Sequence, residues 1–456
     1  MNPAPRDLPA RAAMTAAEPH ILRLDAAGIA DANGIWSPGS LLLELSDHTI
    51  PGPGFEHAHI RVLAVGSPAE VDQHPGSTMT QRRAYPQHLL IPGLVNAHTH
   101  LDLTAIGPQP LDPEAGFAGF IDLVRDRRPV EPAAIAESVR EGVRRSLTAG
   151  VVAVGDIGGA PRGRPTLAAF ETLASTPIHG VGYVEFFAIG RTESVSLERV
   201  ESLLRDAASR RGRVRPGLSP HAPYSVSPAG YRRAVRLAGE LGLPLATHLA
   251  ESPDEHAFIA HASGQQRALL ETLNLWDDAL LAEFGLGWSP VAHLVHALQD
   301  VPRPFPTLTL VHVHDLGDDL EAIARLGACV AYCPRAGEYF GAHRHFGPHR
   351  YRELLARGVP VALGTDSIIN LPTPRLGIWD EMRFLRRRDT TDPRLLLRMA
   401  TLHGASALGM HAPAFAFTPG EWLAGVAAVG LPPGEGCPLT RALDNTRSPE
   451  LLLLGK

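Results

Sequence analysis

From about Ile91 the chain alternates between short runs that are apolar on both faces and longer stretches with apolar residues every three or four positions. The short runs are LLIPGLVNAHTH, GVVAVGDIGG, IHGVGYVEFFAIG, VRPGLSPHAPYSV, LPLATHLAES, LTLVHVHDL, GACVAYCPRAG and VPVALGTDSI. A strand that is apolar on both faces belongs in a parallel sheet covered on both sides. The stretches between them, such as AAIAESVREGVRRSLTAG and SPAGYRRAVRLAGELG, have helical spacing and end in glycine. Eight strands, each followed by a connection long enough for a helix, predict an α/β protein: a (β/α)8 barrel of the TIM type over residues 91–400. A doubly wound open sheet is the competing arrangement, but its G-x-G-x-x-G fingerprint does not occur.

The flanks read differently. Residues 19–90 hold short β-like pieces (HILRLDA, SLLLEL, HIRVLAV) punctuated by Gly, Pro and Asp, which predict a small antiparallel β element. Residues 401–456 continue a helix, MATLHGASALGM, and turn β-like in TPGEWLAGVAAVG, a segment able to rejoin that element. The Ala- and Pro-rich residues 1–18 lack periodicity and are expected to be a disordered leader, with Met14 as an alternative start.

Composition narrows the function. The 42 basic and 48 acidic residues leave a net charge of −6, and no basic block occurs, which argues against nucleic acid or an anionic membrane as partner. No apolar run is long enough for a membrane span, and the N-terminus lacks a signal-peptide pattern. Three cysteines (Cys329, Cys333, Cys437) make no disulfide framework and suit a reducing cytoplasm. Lys456 is the only lysine, so a Walker phosphate lysine, a Schiff base and a lysine-bridged pair of metals are all excluded. A small-molecule substrate is the expected partner, and a homodimer is the default for a soluble enzyme.

Ligand-type residues gather at the C-terminal ends of the predicted strands, where barrel enzymes keep their active sites. His98 and His100 end the first strand in NAHTH, and alternation points both to one face. His248 ends the fifth strand in ATHLAE, and Asp366 ends the eighth in LGTDS. Three imidazoles and a carboxylate make a site for one divalent ion, Zn²⁺ or Fe²⁺, with a position open for water. Glu251, three residues after His248, is a candidate proton shuttle. In LVHVHDL, His312 is a candidate base or electrostatic partner, and His314 shares its face by alternation, so the pattern leaves open which of the two reaches the site. His221 in SPHAPYS is a candidate ligand or substrate contact. Neither H-E-x-x-H nor the zinc cytidine deaminase signature is present.

With PGLVNAHTHLDL, SPHAPYSVSP, THLAES, LVHVHDL, AYCPRAGEYFG and VALGTDS in this order, the chain from about Ile91 to Gly409 resembles the amidohydrolase superfamily, in its mononuclear-metal aminohydrolase branch. That branch includes adenosylhomocysteine/methylthioadenosine deaminases, guanine deaminases and triazine hydrolases. The resemblance implies His98, His100, His248 and Asp366 as metal ligands, Glu251 and His312 as the proton-transfer pair, and His221 as a substrate contact; Asp366 is further expected, with His312, to accept or orient the proton of the metal-bound water. It also implies a small β-sandwich built from both chain ends. The segment GEWLAGV departs from the G-K-x-A-D-L common in relatives, which touches the sandwich and not the active site.

The segment GFAGFIDLVRDRR (Gly116–Arg128) resembles the aromatic-plus-arginine segment of aminodeoxyfutalosine deaminases, which act on an adenine ring in a menaquinone precursor. Hydrolytic deamination of such a ring, with release of ammonia, is therefore the expected activity. The alternatives are a deaminase of adenosylhomocysteine, methylthioadenosine or guanine, a chlorohydrolase-type enzyme on a related ring, and a catalytically inactive scaffold. The loop CPRAGEYFGAHRHFGPHR crowds His343, His345 and His349 with Arg335, Tyr339 and Phe340. It is read as a pocket wall in which Arg335 and Tyr339 contact substrate, with a second metal site or a plain surface loop as the other readings.

Overall fold

The computed structural model describes residues 20–49, 55–78, 80–112, 114 and 116–456; the leader expected over residues 1–18 lies outside them. Eight parallel strands run Leu94–His100, Val151–Gly158, His179–Phe186, Val214–Pro220, Leu245–Leu249, Leu308–His312, Cys329–Tyr332 and Val361–Ser367. The last is interrupted at Gly364 and Thr365. Its first part, Val361–Leu363, pairs with Cys329–Tyr332, while Asp366 and Ser367 pair with Thr99 and His100. This step closes the sheet into the TIM-type barrel and excludes the open doubly wound arrangement. Gly364 makes the step sterically feasible: a Cβ there would lie 2.8 Å from Cys333 Sγ and 2.9 Å from the His98 carbonyl oxygen.

The strands are almost wholly buried, as their two apolar faces require, with only His179, Arg215 and Cys329 partly exposed. Every residue of Leu94–His100 and of Val151–Gly158 is buried. The helices outside follow their sequence signals. Helix Pro228–Leu241 starts at Ser227, whose hydroxyl accepts from the Gly230 N–H, and stops at Gly242 in the left-handed conformation.

A second sheet joins the two ends of the chain. Strands His20–Ala30, Gly39–Thr49, Glu56–Gly66 and Thr80–Pro92 combine with Gly425–Gly430 and Pro449–Gly455. TPGEWLAGVAAVG does return to the N-terminal strands: Gly425–Gly430 pairs with Thr80–Pro92. Thr80–Pro92 also pairs with His20–Ala30, so the sheet closes on itself as a small barrel where two stacked sheets were expected. Its own core contains Leu22, Leu24, Leu43, Ile60, Val62 and Leu453. Among the described residues, no helix is long and apolar enough to cross a membrane.

One buried histidine away from the barrel mouth makes a simple stability test. His293, in helix Pro290–Leu298, stacks on Phe284 with ring centroids 5.1 Å apart, and neither ring nitrogen has a hydrogen-bond partner among the described residues. Burial pulls its pKa down to about 4. The folded state therefore binds fewer protons than the unfolded chain between about pH 6.5 and 4, and the stability present above that window is lost on acidification. His293→Phe removes this term. Compared with the variant, the wild type should lose more of its thermal midpoint on moving from about pH 7 to about pH 5. Parallel pH dependences would contradict this.

Candidate metal centre and active site

Three strand ends converge at the barrel mouth. His98 and His100 come from the first strand, His248 from the fifth and Asp366 from the eighth. Asp366 Oδ1 lies 3.4 Å from both His98 Nε2 and His100 Nε2, and His248 Nε2 lies 3.4 Å from His100 Nε2. Nitrogen and oxygen ligands about 2.0–2.1 Å from one tetrahedral ion stand about 3.4 Å from each other, so these separations suit a cation cage. The donor chemistry fits as well. His248 Nδ1 lies 3.0 Å from the His221 carbonyl oxygen and donates to it, which leaves the Nε2 lone pair facing inward. Both nitrogens of His98 are buried, and among the described residues Nδ1 has no partner while Nε2 faces Asp366. Burial pulls His98 down to about 3, so its ring is neutral and ready to ligate. For Asp366, burial works against ionisation, but the His100 and His98 imidazoles outweigh it and hold the carboxyl well below the usual range.

Next to this cage lie Glu251 and His312. Glu251 Oε1 is 3.3 Å from His312 Nε2. Burial, followed by the nearby Asp366 and Glu255 charges, pushes Glu251 well above the ordinary carboxyl range. Burial also pushes His312 well below its ordinary value. The pair thus sets a carboxyl biased toward its protonated form beside an imidazole biased toward its neutral one. Ala250, His312, Val313 and Asp366 all have left-handed backbones, with φ of 55°, 71°, 55° and 57°. Such conformations cost on the order of 1–3 kcal/mol each and persist where the surroundings impose them. Here Glu255 accepts the N–H groups of Ala250 (3.0 Å) and Glu251 (2.8 Å), fixing the turn that carries the acid.

The centre forms one wall of a cavity of about 950 Å³, also lined by Phe117, Phe120, Ile121, Val124, Phe187 and Tyr224. The profile of the Amidohydrolase family matches residues 89–420. This chain belongs to the amidohydrolase family. It is accordingly an enzyme that acts on carbon–nitrogen bonds through a histidine-rich metal site. It is 32% identical to an aminodeoxyfutalosine deaminase of Deinococcus radiodurans over 379 residues, covering 77% of this chain and 82% of the relative. It is 28% identical to a 5-methylthioadenosine/S-adenosylhomocysteine deaminase of Nitratidesulfovibrio vulgaris, covering 70% of this chain and 67% of the relative. Among solved structures, aminofutalosine deaminase of Helicobacter pylori superposes with a TM-score of 0.72 at 18% identity, covering 96% of this chain and 99% of that one.

In this amidohydrolase His221 lines the cavity beside His248, with ring centroids 5.1 Å apart, and its Nδ1 lies 2.7 Å from Ser225 Oγ. Between the two histidines of LVHVHDL, the structure turns His312 to the centre. His314 instead packs against Tyr332 and His349. Two expected substrate contacts lie elsewhere. Arg335 is buried outside the cavity lining, its Nε donating to Glu381 Oε1 at 2.6 Å, because a guanidinium removed from water needs a carboxylate. Tyr339 also lies outside the lining and packs edge-on to Phe120 and Phe340, backing the aromatic wall. His343 and His345 are exposed and, among the described residues, join no metal-ligating cluster.

Two lining residues escaped the sequence reading. Glu185, at the end of the third strand, offers a carboxylate oxygen within 4.8 Å of ring nitrogens of His221 and His248. Burial opposes its ionisation, yet His221 and Arg128 outweigh burial and hold it down at about 2. Arg128, just past helix Gly116–Arg127, reaches Glu185 Oε2 at 3.5 Å and Asp102 Oδ2 at 3.3 Å. Gly159 leaves room for that guanidinium, since a Cβ there would stand 2.1 Å from Arg128 Nη1. The signal for Glu185 was available: it is a carboxylate at a strand's C-terminal end, as Asp366 is.

Proposed function

We propose that this enzyme hydrolytically deaminates an adenine-type ring in a nucleoside, with aminodeoxyfutalosine as the first candidate substrate. The observation that carries the reading is geometric: Glu251 lines the cavity 3.3 Å from His312 and beside the His–Asp donor set, with burial pushing its carboxyl toward the protonated form. A deaminase of this kind must protonate a ring nitrogen while water adds to the neighbouring carbon, and a carboxylic acid does that where a carboxylate does not.

His98, His100, His248 and Asp366 would hold one divalent ion, Zn²⁺ by the tetrahedral N₃O donor set, with Fe²⁺ as the alternative. When bound, such an ion acidifies water and so makes a nucleophile available near neutral pH. The protein's own groups move the protons. Asp366, with His312, takes the proton released as water oxygen bonds to the amino-bearing carbon, C6 of adenine. Glu251 gives its proton to the adjacent ring nitrogen, so no anion builds up on the ring. The proton taken by Asp366 passes to the exocyclic amine, the C6–N bond breaks, and ammonia leaves a ring carbonyl behind. The ring nitrogen keeps its hydrogen in the product, and the second proton of the attacking water, lost from the C6 hydroxyl as the carbonyl forms, restores the one that Glu251 gave up.

Aminodeoxyfutalosine is favoured by the cavity wall and by the Deinococcus radiodurans relative. Helix Gly116–Arg127 contributes Phe117, Phe120, Ile121 and Val124, an apolar surface suited to an aromatic substituent on the nucleoside. Arg162 and Arg164 line the same cavity and, among the described residues, have no acidic partner, which suits a carboxylate on that substituent. The test is ammonia release by metal-loaded protein from a panel of adenine nucleosides, aminodeoxyfutalosine, methylthioadenosine, adenosylhomocysteine and guanine. The highest kcat/KM is expected for aminodeoxyfutalosine. A preference for methylthioadenosine or adenosylhomocysteine would replace the substrate but keep the chemistry, and activity on none of the panel would end the proposal.

A further inference from the structure

The histidine-rich loop after the seventh strand has no part in the chemistry above, yet one of its side chains reaches back to the active site. His349 Nε2 lies 2.8 Å from the His312 carbonyl oxygen and donates to it. Its ring stacks on Tyr332 with centroids 3.8 Å apart and planes 16° apart. Arg388 Nη2 in turn donates to the Tyr332 hydroxyl at 2.8 Å. The imidazole is therefore fixed in plane by an aromatic stack and in direction by one hydrogen bond. Its other nitrogen, Nδ1, is sealed from solvent and has no hydrogen-bond partner among the described residues, so that hydrogen bond is the one that directs the ring.

The carbonyl it holds belongs to a strained turn. His312 and Val313 both have left-handed backbones, which β-branched valine adopts reluctantly. Past the turn, the Val313 N–H donates to the Leu249 carbonyl oxygen at 3.0 Å and the His314 N–H to that of Ala250 at 2.9 Å, docking the segment on the fifth strand's end. Those bonds hold the amide side of the turn, and His349 holds the carbonyl side. The His312 carbonyl and the Val313 N–H share one peptide plane, so a rotation there would break both bonds and swing the imidazole away from Glu251, now 3.3 Å distant.

We infer that His349 is a positioning residue, which clamps the left-handed turn at His312 and so aims that imidazole at Glu251 and the substrate. The inference rests on the deaminase reading for its kinetic consequence, but not for its structural one. Burial keeps the His349 ring neutral, with its pKa pulled down to about 4, in agreement with a single fixed N–H donor.

Two substitutions separate the hydrogen bond from the ring. His349→Phe keeps the stack on Tyr332 and removes the donor; His349→Gln restores an N–H donor without the ring. In metal-loaded protein, His349→Phe should lower kcat by up to about 10²-fold, the scale of an ångström-level misplacement, while metal content is unchanged. Its KM should move by less than about two-fold, since the lost interaction acts on the chemical step. His349→Gln should recover most of the loss. Wild-type kcat in the phenylalanine variant, or an equal loss in both variants, would overturn the inference. A crystal structure of His349→Phe reads the turn directly. His312 should leave its left-handed conformation or draw back from Glu251, and an unmoved His312 would overturn the inference too. Were the wild type inactive on every nucleoside, the proposed function would fall, and this structural readout would still decide the role of His349.

Discussion

Glu251→Gln should bind its metal normally and turn over substrate about 10²–10⁴-fold more slowly, the range that a positioned general acid contributes. The amide is nearly isosteric, so the turn held by the Glu255 carboxylate on the Ala250 and Glu251 N–H groups need not rearrange; what disappears is the transferable proton. The loss should fall on kcat, with metal stoichiometry staying near that of the wild type. Stability provides a second check. The folded-state pKa of Glu251 is raised, so its contribution to stability is present at low pH and is lost as pH rises through the folded value. The glutamine variant carries no such penalty and should melt at or above the wild-type midpoint at about pH 8. Turnover close to wild type would remove Glu251 from the mechanism.

For His98→Ala the first thing lost is the metal. The side chain is fully buried and stands at the centre of the imidazole group, with ring centroids 4.9 Å from His100, 5.0 Å from His248 and 5.7 Å from His312. Its Nε2 is one of the atoms around Asp366 Oδ1. Deleting it leaves two imidazoles and a carboxylate, and affinity should fall by more than the about 10–100-fold that outer partners of a ligand are worth. Metal analysis after dialysis should find well under one equivalent, and ammonia release should drop to background. Circular dichroism and a thermal melt separate this result from misfolding. A variant that keeps a full equivalent of metal would take His98 out of the ligand set, whatever its activity.

The contrast between these two variants follows from what each residue does within the same small volume. Both are buried, both lie within a few ångströms of Asp366 or its ligands, and both should silence the enzyme. Only one should empty the site.

The centre was legible in the sequence because strand geometry is regular. His98 and His100 are two residues apart on one strand, so alternation alone puts them on one face. His248 and Asp366 could be added because each follows an apolar run, and parallel strands in a barrel end on the same side. The choice between His312 and His314 was not legible. Alternation gives the two one face, and the left-handed turn at His312 and Val313 breaks that alternation. Arg335 was misplaced for a related reason. Its buried partner Glu381 is 46 residues away, and nothing local in CPRAGEYFG announces an ion pair with a helix that follows the eighth strand.

The small sheet shows the same division. Half-buried strands predict a β element with one face inward, but a closed barrel and two stacked sheets bury alternate residues equally well. The pairing of Thr80–Pro92 with both His20–Ala30 and Gly425–Gly430 decides between them.

The sequence by itself determined the repeating strand–helix order, the closed barrel this order favours, and the ligand types waiting at the strand ends. These follow from periodicity and from the need to bury apolar faces, which act over a few residues at a time. Only the tertiary structure decided the rest. It brought Glu185 and Arg128 to the cavity, committed Arg335 to Glu381, and placed His349 behind the turn that carries His312. Each of those is the pairing of a buried polar group with a distant partner, and the cost of leaving such a group unpaired is felt only once the chain has folded around it.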